Sequence, residues 1–353
     1  MSGPVLPRRG FFTATAGVAA ALTLAACGGE GAATQAAPTG TAGTGGTAGT
    51  GGTAGTGGTG GTGGGWTFTD DRDKKLSLPK RPTRVVAQVG AAAALWDFGV
   101  RPIGVFGPHK LKDGARDPQV GNVDITKVTG LGNVWDEFNV EQYIALQPDL
   151  LVSSMYIKGT LWYVPEKSKA TIEQVAPTAG IMLTGRSAME VIGKYEELAT
   201  SLGADLRGVP EAKARLAAAG KELAAFKDLK ILMVSAGPDA MWVVNPPEYP
   251  DIVHLTQNGL TVVTPAKVDE GGFFQTLSWE NADTYDADVI LYDTRTQSLK
   301  PAEMMKKPTF AKLPAVKAGQ LYPWSAEAPY SYQGYADFVE GLVANLKKAN
   351  KLR

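Results

Sequence analysis

Two stretches of the chain share one layout and decide the fold. Residues 139–152 read NVEQYIALQPDLLV, and residues 278–291 read SWENADTYDADVIL. In each stretch a helix-capping residue stands two positions before a glutamate, which is Glu141 in the first stretch and Glu280 in the second. An aspartate follows eight positions after each glutamate and directly precedes an apolar strand. The two glutamates are 139 residues apart. The sequence therefore predicts two α/β lobes of similar construction rather than one continuous sheet.

The rest of the chain alternates short apolar runs with helical patterns, which is typical of parallel sheets covered by helices. The predicted strands are residues 84–89, 102–107, 230–235 and 260–264, and the helical patterns beside them are residues 91–98 and 250–258. Residues 187–202 place apolar side chains at helical spacing, and we expect this long helix to bridge the lobes. The expected bounds are 66–186 for the N-terminal lobe, 187–203 for the bridging helix and 204–353 for the C-terminal lobe.

The composition argues against several classes of protein. The 353 residues carry 35 basic and 35 acidic side chains, and this balance disfavours a nucleic acid as the main partner. With two histidines, His109 and His254, and one cysteine, the sequence predicts neither a histidine-rich metal site nor an internal disulfide. The sequence has no G-x-S-x-G elbow, P-loop or complete dinucleotide-binding fingerprint, which disfavours an enzyme.

The N-terminus has the pattern of an export signal. Arg8 and Arg9 precede a short apolar stretch, residues 11–26, that is too short to span a bilayer. We therefore interpret residues 1–26 as a signal peptide. The Arg-Arg-Gly-Phe-Phe order is similar to a twin-arginine signal, and the general secretory route stays open as an alternative.

A membrane anchor and a tether are predicted to follow this signal. Leu24-Ala25-Ala26-Cys27 resembles the bacterial lipobox, which implies that Cys27 is acylated and becomes the first mature residue. Residues 28–65 contain almost only Gly, Thr and Ala, so they cannot bury enough apolar surface to fold and are expected to form a disordered tether. The protein would then be exported and lipid-anchored to the outer face of the cytoplasmic membrane.

Together these features resemble the substrate-binding lipoproteins of bacterial ABC importers, in particular those of the iron–siderophore and vitamin B12 class. Besides the leader and the bridging helix, the segments that carry the resemblance are RPTRVVAQVG (81–90), LWDFGVRPIGV (95–105), NVEQYIALQPDLLVSS (139–154), ATIEQVAPTAGI (170–181), SWENADTYDADVILYD (278–293) and FAKLPAVKAGQLYPW (310–324). Their order and spacing over residues 80–350 are more specific than any one segment.

The resemblance implies two Rossmann-like lobes, joined by a single long bridging helix, with the ligand cleft between them. It also implies that each lobe carries a surface glutamate that docks onto arginines of the transmembrane permease. By position these are Glu141 and Glu280. A carboxylate in the first turn of a helix is also stabilised by the helix dipole, by about 0.3–1 kcal/mol, and this alone would explain either residue. The matched placement in both lobes favours docking.

Aromatic side chains are frequent in the loops that should line the cleft, at the carboxyl ends of the strands. The candidate ligand-binding residues are Phe106, Trp135, Tyr156 and Trp162 in the first lobe, and Trp242, Phe273, Arg295, Trp324 and Tyr330 in the second. Aromatic walls suit a bulky, partly apolar chelate, and the N–H fork of Arg295 suits hydroxamate or carboxylate oxygens around iron. As alternatives to ligand binding, Trp242 and Trp324 could equally well be core residues, and Arg295 could be a solvated surface residue. We expect His109 to be an exposed loop residue.

The sequence thus predicts a monomeric binding lipoprotein that captures a ferric siderophore of hydroxamate type and delivers it to a permease without chemistry. We expect no resident metal or cofactor, because iron would arrive inside its chelator. Cobalamin and haem stay open as ligands, since a tyrosine could serve as an axial ligand of haem. A receptor that senses the same ligand would have the same fold, and an extracytoplasmic enzyme is the least favoured alternative.

Overall fold

The computed structural model describes residues 65–352, so the predicted signal peptide, Cys27 and the tether up to residue 64 lie outside the described residues. The strands are β1 (Trp66–Thr69), β2 (Lys75–Leu78), β3 (Val85–Gln88), β4 (Gly104–Phe106), β5 (Thr129–Gly130), β6 (Leu150–Met155), β7 (Thr178–Met182), β8 (Lys230–Ala236), β9 (Ala240–Val244), β10 (Thr261–Val262), β11 (Phe274–Ser278), β12 (Val289–Asp293) and β13 (Leu321–Trp324). The helices are α1 (Val89–Asp97), α2 (Val140–Ala145), α3 (Glu166–Val175), α4 (Ala188–Ser201), α5 (Val209–Leu223), α6 (Pro250–Gln257), α7 (Pro301–Met304), α8 (Pro308–Ala311), α9 (Pro314–Lys317) and α10 (Tyr332–Leu346).

The first lobe is built on a five-stranded parallel sheet in the order β5-β4-β3-β6-β7. Every residue of the neighbouring strands β3 and β6 is buried, as expected where helices cover both faces of a parallel sheet. The β1–β2 hairpin precedes this sheet and is tied to the bridging helix, because the Trp66 indole N–H donates to the Ser201 hydroxyl over 3.1 Å.

The second lobe has a mixed sheet. Strands β10 and β12 each pair with β8 in parallel, and β13 pairs with β12 in parallel. Strand β9 pairs with β8 in the antiparallel direction, and β11 pairs with β9 in the antiparallel direction. The antiparallel pairing follows from the connection, because residues 237–239 form a turn far too short for the crossover that a parallel pair needs. The second lobe therefore departs from an all-parallel sheet at this edge, while β8, β12 and β13 keep the Rossmann-like arrangement.

The predicted internal repeat is present at the level of single hydrogen bonds. The Asp149 carboxylate accepts from the backbone N–H of Arg84 over 3.0 Å, and the Asp288 carboxylate accepts from the backbone N–H of Lys230 over 2.8 Å. Each aspartate also donates its own N–H to the carbonyl oxygen of the same partner, over 2.8 Å in both lobes. Each aspartate thus fixes the register at the start of its lobe's central strand.

The two halves of the repeat differ in the element before the aspartate. In the first lobe Asn139 caps helix α2 by accepting from the Gln142 N–H. In the second lobe the predicted helix is only a 3-10 turn, Trp279–Asn281, so the expectation of a matching α-helix is wrong there. Glu280 is nevertheless the second residue of this turn, just as Glu141 is the second residue of α2.

Helix α4 is the bridging helix, and it belongs to the core of both lobes. It begins with a capping box between Ser187 and Glu190. The Tyr195 hydroxyl shares a hydrogen bond of 2.9 Å with Ser154 of the first lobe, and the Tyr332 hydroxyl of α10 donates to Glu196 over 2.9 Å. One buried apolar cluster includes side chains from both sheets and from α4. This confirms the α/β fold of two lobes and one connecting helix. Within residues 65–352 no helix is long and apolar enough to cross a membrane.

A buried polar contact joins α6 to β13 inside the second lobe. The Trp324 indole N–H donates to the Asp251 carboxylate over 2.6 Å, and both residues are only 1% exposed. Burial raises the pKa of Asp251 from 3.8 to about 7, because the desolvation of the carboxylate outweighs this hydrogen bond. Asp251 therefore keeps its proton on folding over a range of pH in which the unfolded chain has lost it.

We predict that Asp251→Asn stabilises the protein at pH 8 and has little effect at pH 4. Wild-type stability should fall as pH rises from about 4 to 7, because only the unfolded state ionises freely there, and the penalty is complete above about 7. Asparagine keeps an acceptor for Trp324 and cannot ionise, so the gain at pH 8 should be on the order of 2–4 kcal/mol. Urea unfolding at both pH values measures it.

The matched control is Asp228→Asn, which removes an exposed carboxylate and should leave the pH profile of the wild type unchanged. An Asp251→Asn advantage of equal size at pH 4 and pH 8 would contradict the assignment, because it would show that the substitution acts through packing and not through ionisation.

Candidate ligand cleft

Side chains from loops and helix ends of the two lobes form hydrogen bonds across the space between the lobes. The Gln119 amide of the first lobe donates to the Glu327 carboxylate of the second over 2.6 Å. The Thr296 hydroxyl donates to Asp117, and the Ser331 hydroxyl donates to Asp97. These contacts hold the two lobes together at the cleft.

Aromatic rings form a continuous row that crosses from one lobe to the other, here called the aromatic row. It begins at Trp135, which is 41% exposed, and ends in the interior at Trp324, which is 1% exposed. Neighbouring ring centroids are 4.8 Å apart for Trp135 and Trp162, 4.9 Å for Trp162 and Tyr156, 6.3 Å for Tyr156 and Phe273, 6.2 Å for Phe273 and Tyr249, and 5.7 Å for Tyr249 and Trp324. These separations are typical of favourable aromatic pairs. The row is therefore built from both lobes, and its rings pass from exposed at Trp135 to buried at Tyr249 and Trp324.

The structure brings most of the candidate residues together but adds one that the sequence reasoning missed. Five candidates lie in the aromatic row, namely Trp135, Tyr156, Trp162, Phe273 and Trp324. The missed residue is Tyr249, which links Phe273 to Trp324. It stands directly before Pro250 at the start of α6, and an aromatic residue at a helix N-terminus in a proline-rich loop was the available signal.

Two other candidates lie elsewhere. Phe106 is fully buried and packs edge-on against Phe138 at 5.1 Å, so its ring presents no surface to a ligand in this structure. The reason is that all three residues of β4 are buried, which the sequence pattern did not reveal. Trp242 lies opposite Ser235 in the β8–β9 pair, and its ring covers Gly237 so closely that a Cβ there would come within 2.6 Å. Trp242 therefore packs the turn between these strands.

Arg295 is a partly buried ion-pairing residue rather than a solvated one. Its side chain is 16% exposed, and its guanidinium lies 2.9 Å from Asp293 and 3.0 Å from Glu327. Although burial opposes the charge, the two carboxylates hold the pKa of Arg295 above its ordinary value. Burial raises the pKa of Glu327, and the charge of Arg295 opposes that rise. Arg295 therefore stays charged in a region where an unpaired charge would be costly.

A small cavity lies between the lobes beside this ion pair. Its volume is about 10 Å³, which is the space of roughly one water molecule. Side chains that line it include Gln88, Ser154 and Tyr156 from the first lobe and Glu327, Ala328 and Tyr330 from the second. The Tyr330 hydroxyl is buried and has no hydrogen-bond partner within the described part of the chain. Burial raises the pKa of Tyr156 and Tyr330 well above 10, so both phenols remain neutral hydrogen-bond donors.

A larger depression of about 450 Å³ lies within the second lobe, between residues 283–290 and 309–315. None of the candidate residues lines it. It also lacks any contribution from the first lobe, so the cleft between the lobes is the better candidate site.

The two glutamates proposed for docking are exposed on separate lobes. A backbone N–H of its own turn and the Ser278 hydroxyl lower the pKa of Glu280, so its charge is retained at neutral pH.

His109 is only 5% exposed, and its Nδ1 lies 2.9 Å from the Gly107 carbonyl oxygen, so the expectation of an exposed histidine is wrong. Among residues 65–352 no group of three or more His, Cys, Asp or Glu side chains is arranged to hold a metal ion.

Several solved structures are similar to this chain. DesE from Streptomyces coelicolor, described as a ferric-siderophore receptor protein, is 39% identical, with a TM-score of 0.78 over 82% of this chain and 100% of its own. FhuD from Vibrio cholerae, a siderophore-binding protein solved with Fe³⁺-Desferal, is 19% identical, with a TM-score of 0.56 over 76% of this chain and 99% of its own. VctP from Vibrio cholerae, a catecholate-siderophore binding protein, is 17% identical, with a TM-score of 0.54 over 80% of this chain and 99% of its own.

The two Vibrio cholerae proteins, at this low identity, show the shared fold alone. No curated protein matches the chain. The family described as periplasmic binding protein matches residues 86–328, a range that runs from β3 through the bridging helix to the loop after β13. The chain therefore belongs to the periplasmic binding protein family, as its resemblance to importer binding proteins implied.

Proposed function

We propose that this protein captures a ferric siderophore outside the cytoplasm and delivers it to an ABC-importer permease, without chemistry on the ligand. The observation that carries the proposal is the aromatic row, which both lobes build and whose Tyr156 and Tyr249 interact electrostatically with the partly buried Arg295. An apolar wall with a few fixed polar groups suits a bulky chelate that is already assembled around its iron. The 39% identical relative from Streptomyces coelicolor is described as a ferric-siderophore receptor, which supports the same class of ligand here.

The proposed ligand is of hydroxamate type. Solved proteins of this fold bind both classes, since FhuD is bound to Fe³⁺-Desferal and VctP binds catecholate siderophores, so the fold does not choose between them. The preference rests on the site, where the neutral phenols of Tyr156 and Tyr330 and one ion-paired arginine could donate to the oxygens of a chelate of low charge. Cobalamin and haem are the competing ligands.

Binding requires the lobes to separate. A cavity of about 10 Å³ holds no siderophore, since ligand sites of this kind have volumes of several hundred Å³. The hydrogen bonds from Gln119 to Glu327 and from Thr296 to Asp117 would break as the ligand enters. Because α4 is packed into both lobes, we expect a small rotation about the bridging helix rather than a wide hinge motion.

The proposal places the protein on the outer face of the cytoplasmic membrane. Acylation of Cys27 would anchor the mature chain, and the Gly/Thr/Ala-rich residues 28–65 would let a monomeric binding unit reach the permease. Glu141 and Glu280, exposed on separate lobes, would form the two docking points.

We expect saturable quenching of tryptophan fluorescence when the purified protein is titrated with a ferric hydroxamate, because Trp135 and Trp162 lie in the aromatic row. Ferric catecholates, cobalamin and haem are titrated in parallel, with free tryptophan as the control for absorption by the ligand. Tight binding by cobalamin or haem alone would replace the siderophore assignment. An absence of binding by all four would remove it.

Arg295→Lys should weaken ferric hydroxamate binding about tenfold while the protein stays folded, because lysine keeps the charge between Asp293 and Glu327 but lacks the planar N–H fork. The dissociation constant and the melting temperature are measured together. Arg101→Lys, on an exposed residue, is the matched control. Unchanged affinity in the folded Arg295→Lys protein would exclude a direct role for the guanidinium.

Glu141→Ala combined with Glu280→Ala should reduce siderophore uptake by cells roughly tenfold and leave ligand binding by the purified protein intact, because charges at an interface rim act on association with the partner. Glu166→Ala combined with Glu303→Ala removes one exposed carboxylate from each lobe and serves as the control. Uptake equal to the wild type in the Glu141/Glu280 double variant would refute the two-point dock.

A further inference from the structure

The ion pair beside the cavity has more negative than positive charge. One partly buried cation, Arg295, faces the buried carboxylates of Asp293 and Glu327, and Asp251 is a third buried carboxyl whose charge interacts with Arg295. Even with Asp251 protonated, the group has one negative charge in excess. Lys300 lies near, because its ammonium donates to the carbonyl oxygens of Thr294 and Arg295, but this side chain is exposed and its charge is screened by solvent.

Glu327 is the carboxylate of this group that lines the cavity. Asp293 is fully engaged within its own lobe, since its oxygens accept from Arg295 and from the Ser235 hydroxyl. Glu327 is divided between the lobes, because one oxygen pairs with Arg295 and the other accepts from Gln119 of the facing lobe over 2.6 Å. Separation of the lobes removes Gln119 and leaves that second oxygen facing the incoming ligand.

A carboxylate in this position makes the affinity of the cleft depend on the net charge of the ligand. It is 7% exposed, so water screens its field weakly. At an effective dielectric constant of about 20, a unit charge roughly 10 Å away changes an affinity by roughly tenfold. An anionic complex would be repelled by that factor for each negative charge, and a cationic complex would gain the same factor.

We infer that Glu327 is a specificity-determining residue whose buried carboxylate makes the cleft select neutral or cationic ferric complexes over anionic complexes of the same shape. This inference rests on the proposed function and adds the ligand's net charge to it. The aromatic row recognises the size and apolar surface of the ligand, and Glu327 recognises the sign of its net charge.

The test uses three ferric complexes that share one iron-binding core. The first is a linear trihydroxamate with a terminal amine, whose ferric complex has one positive charge. The second is its N-acetyl derivative, which is neutral, and the third is its N-succinyl derivative, which has one negative charge. We expect the wild-type protein to bind the amine complex at least tenfold more tightly than the succinyl complex, with the acetyl complex between them. Dissociation constants come from fluorescence titration at low salt.

Two substitutions cancel the excess negative charge of the cleft in different ways. Glu327→Gln keeps the shape and a partner for Gln119, and it should reduce the ratio of affinities between the amine and succinyl complexes by about tenfold. Gln119→Lys leaves Glu327 in place and adds an ammonium on the facing wall of the cleft, which offsets the excess negative charge, so it should reduce the ratio similarly. The control is Glu222→Gln, which removes an exposed carboxylate of α5 that pairs with Lys347. Circular dichroism and melting temperature verify folding of each variant.

The outcomes separate this inference from the function on which it rests. Wild-type protein that binds all three complexes with equal affinity, or folded charge variants that keep the full ratio, would overturn the role of Glu327 and leave siderophore capture intact. Wild-type protein that binds none of the three would overturn the proposed function itself. A reduced ratio in both charge variants and an unchanged ratio in Glu222→Gln would establish charge selection by Glu327.

Discussion

Arg295 is largely withdrawn from water, and Asp293 and Glu327 stabilise its charge by holding the guanidinium between them. Asp293 ends β12, and Glu327 lies in the loop that follows β13, so the ion pair fixes two chain segments at the carboxyl edge of the second sheet. Gln119 extends the same contact to the first lobe. The polar centre of the cleft, and one of the hydrogen bonds that hold the lobes together there, thus depend on one partly buried arginine.

The features that the sequence predicted correctly are those set by local spacing. The repeated placement of Asp149 and Asp288 predicted two similar lobes, because each carboxylate serves a strand start in the same way. Helical periodicity identified α4, and the structure adds its capping box. The contacts that the sequence did not reveal join distant positions. Nothing near Arg295 in sequence shows that Glu327, 32 residues later, neutralises it, and Gln119 lies 208 residues from its partner.

The errors have the same physical origin. Phe106 ends a strand on the expected edge, but all of β4 is buried and the Phe106 ring packs against Phe138. Tyr249 was missed because its part in the aromatic row depends on Phe273 and Trp324, which come from separate segments. Which side of a strand or loop faces the partner lobe is decided by packing, and a single sequence records that only indirectly.

The shared packing of α4 has a consequence for how the protein unfolds. Side chains of both sheets and of α4 belong to one buried apolar cluster, so neither lobe can lose its structure without exposing the core of the other. The lobes should therefore melt together, as a single cooperative unit, despite the appearance of two domains. A ligand bound at the cleft then stabilises the whole folded chain, including the β1–β2 hairpin that α4 holds through Ser201.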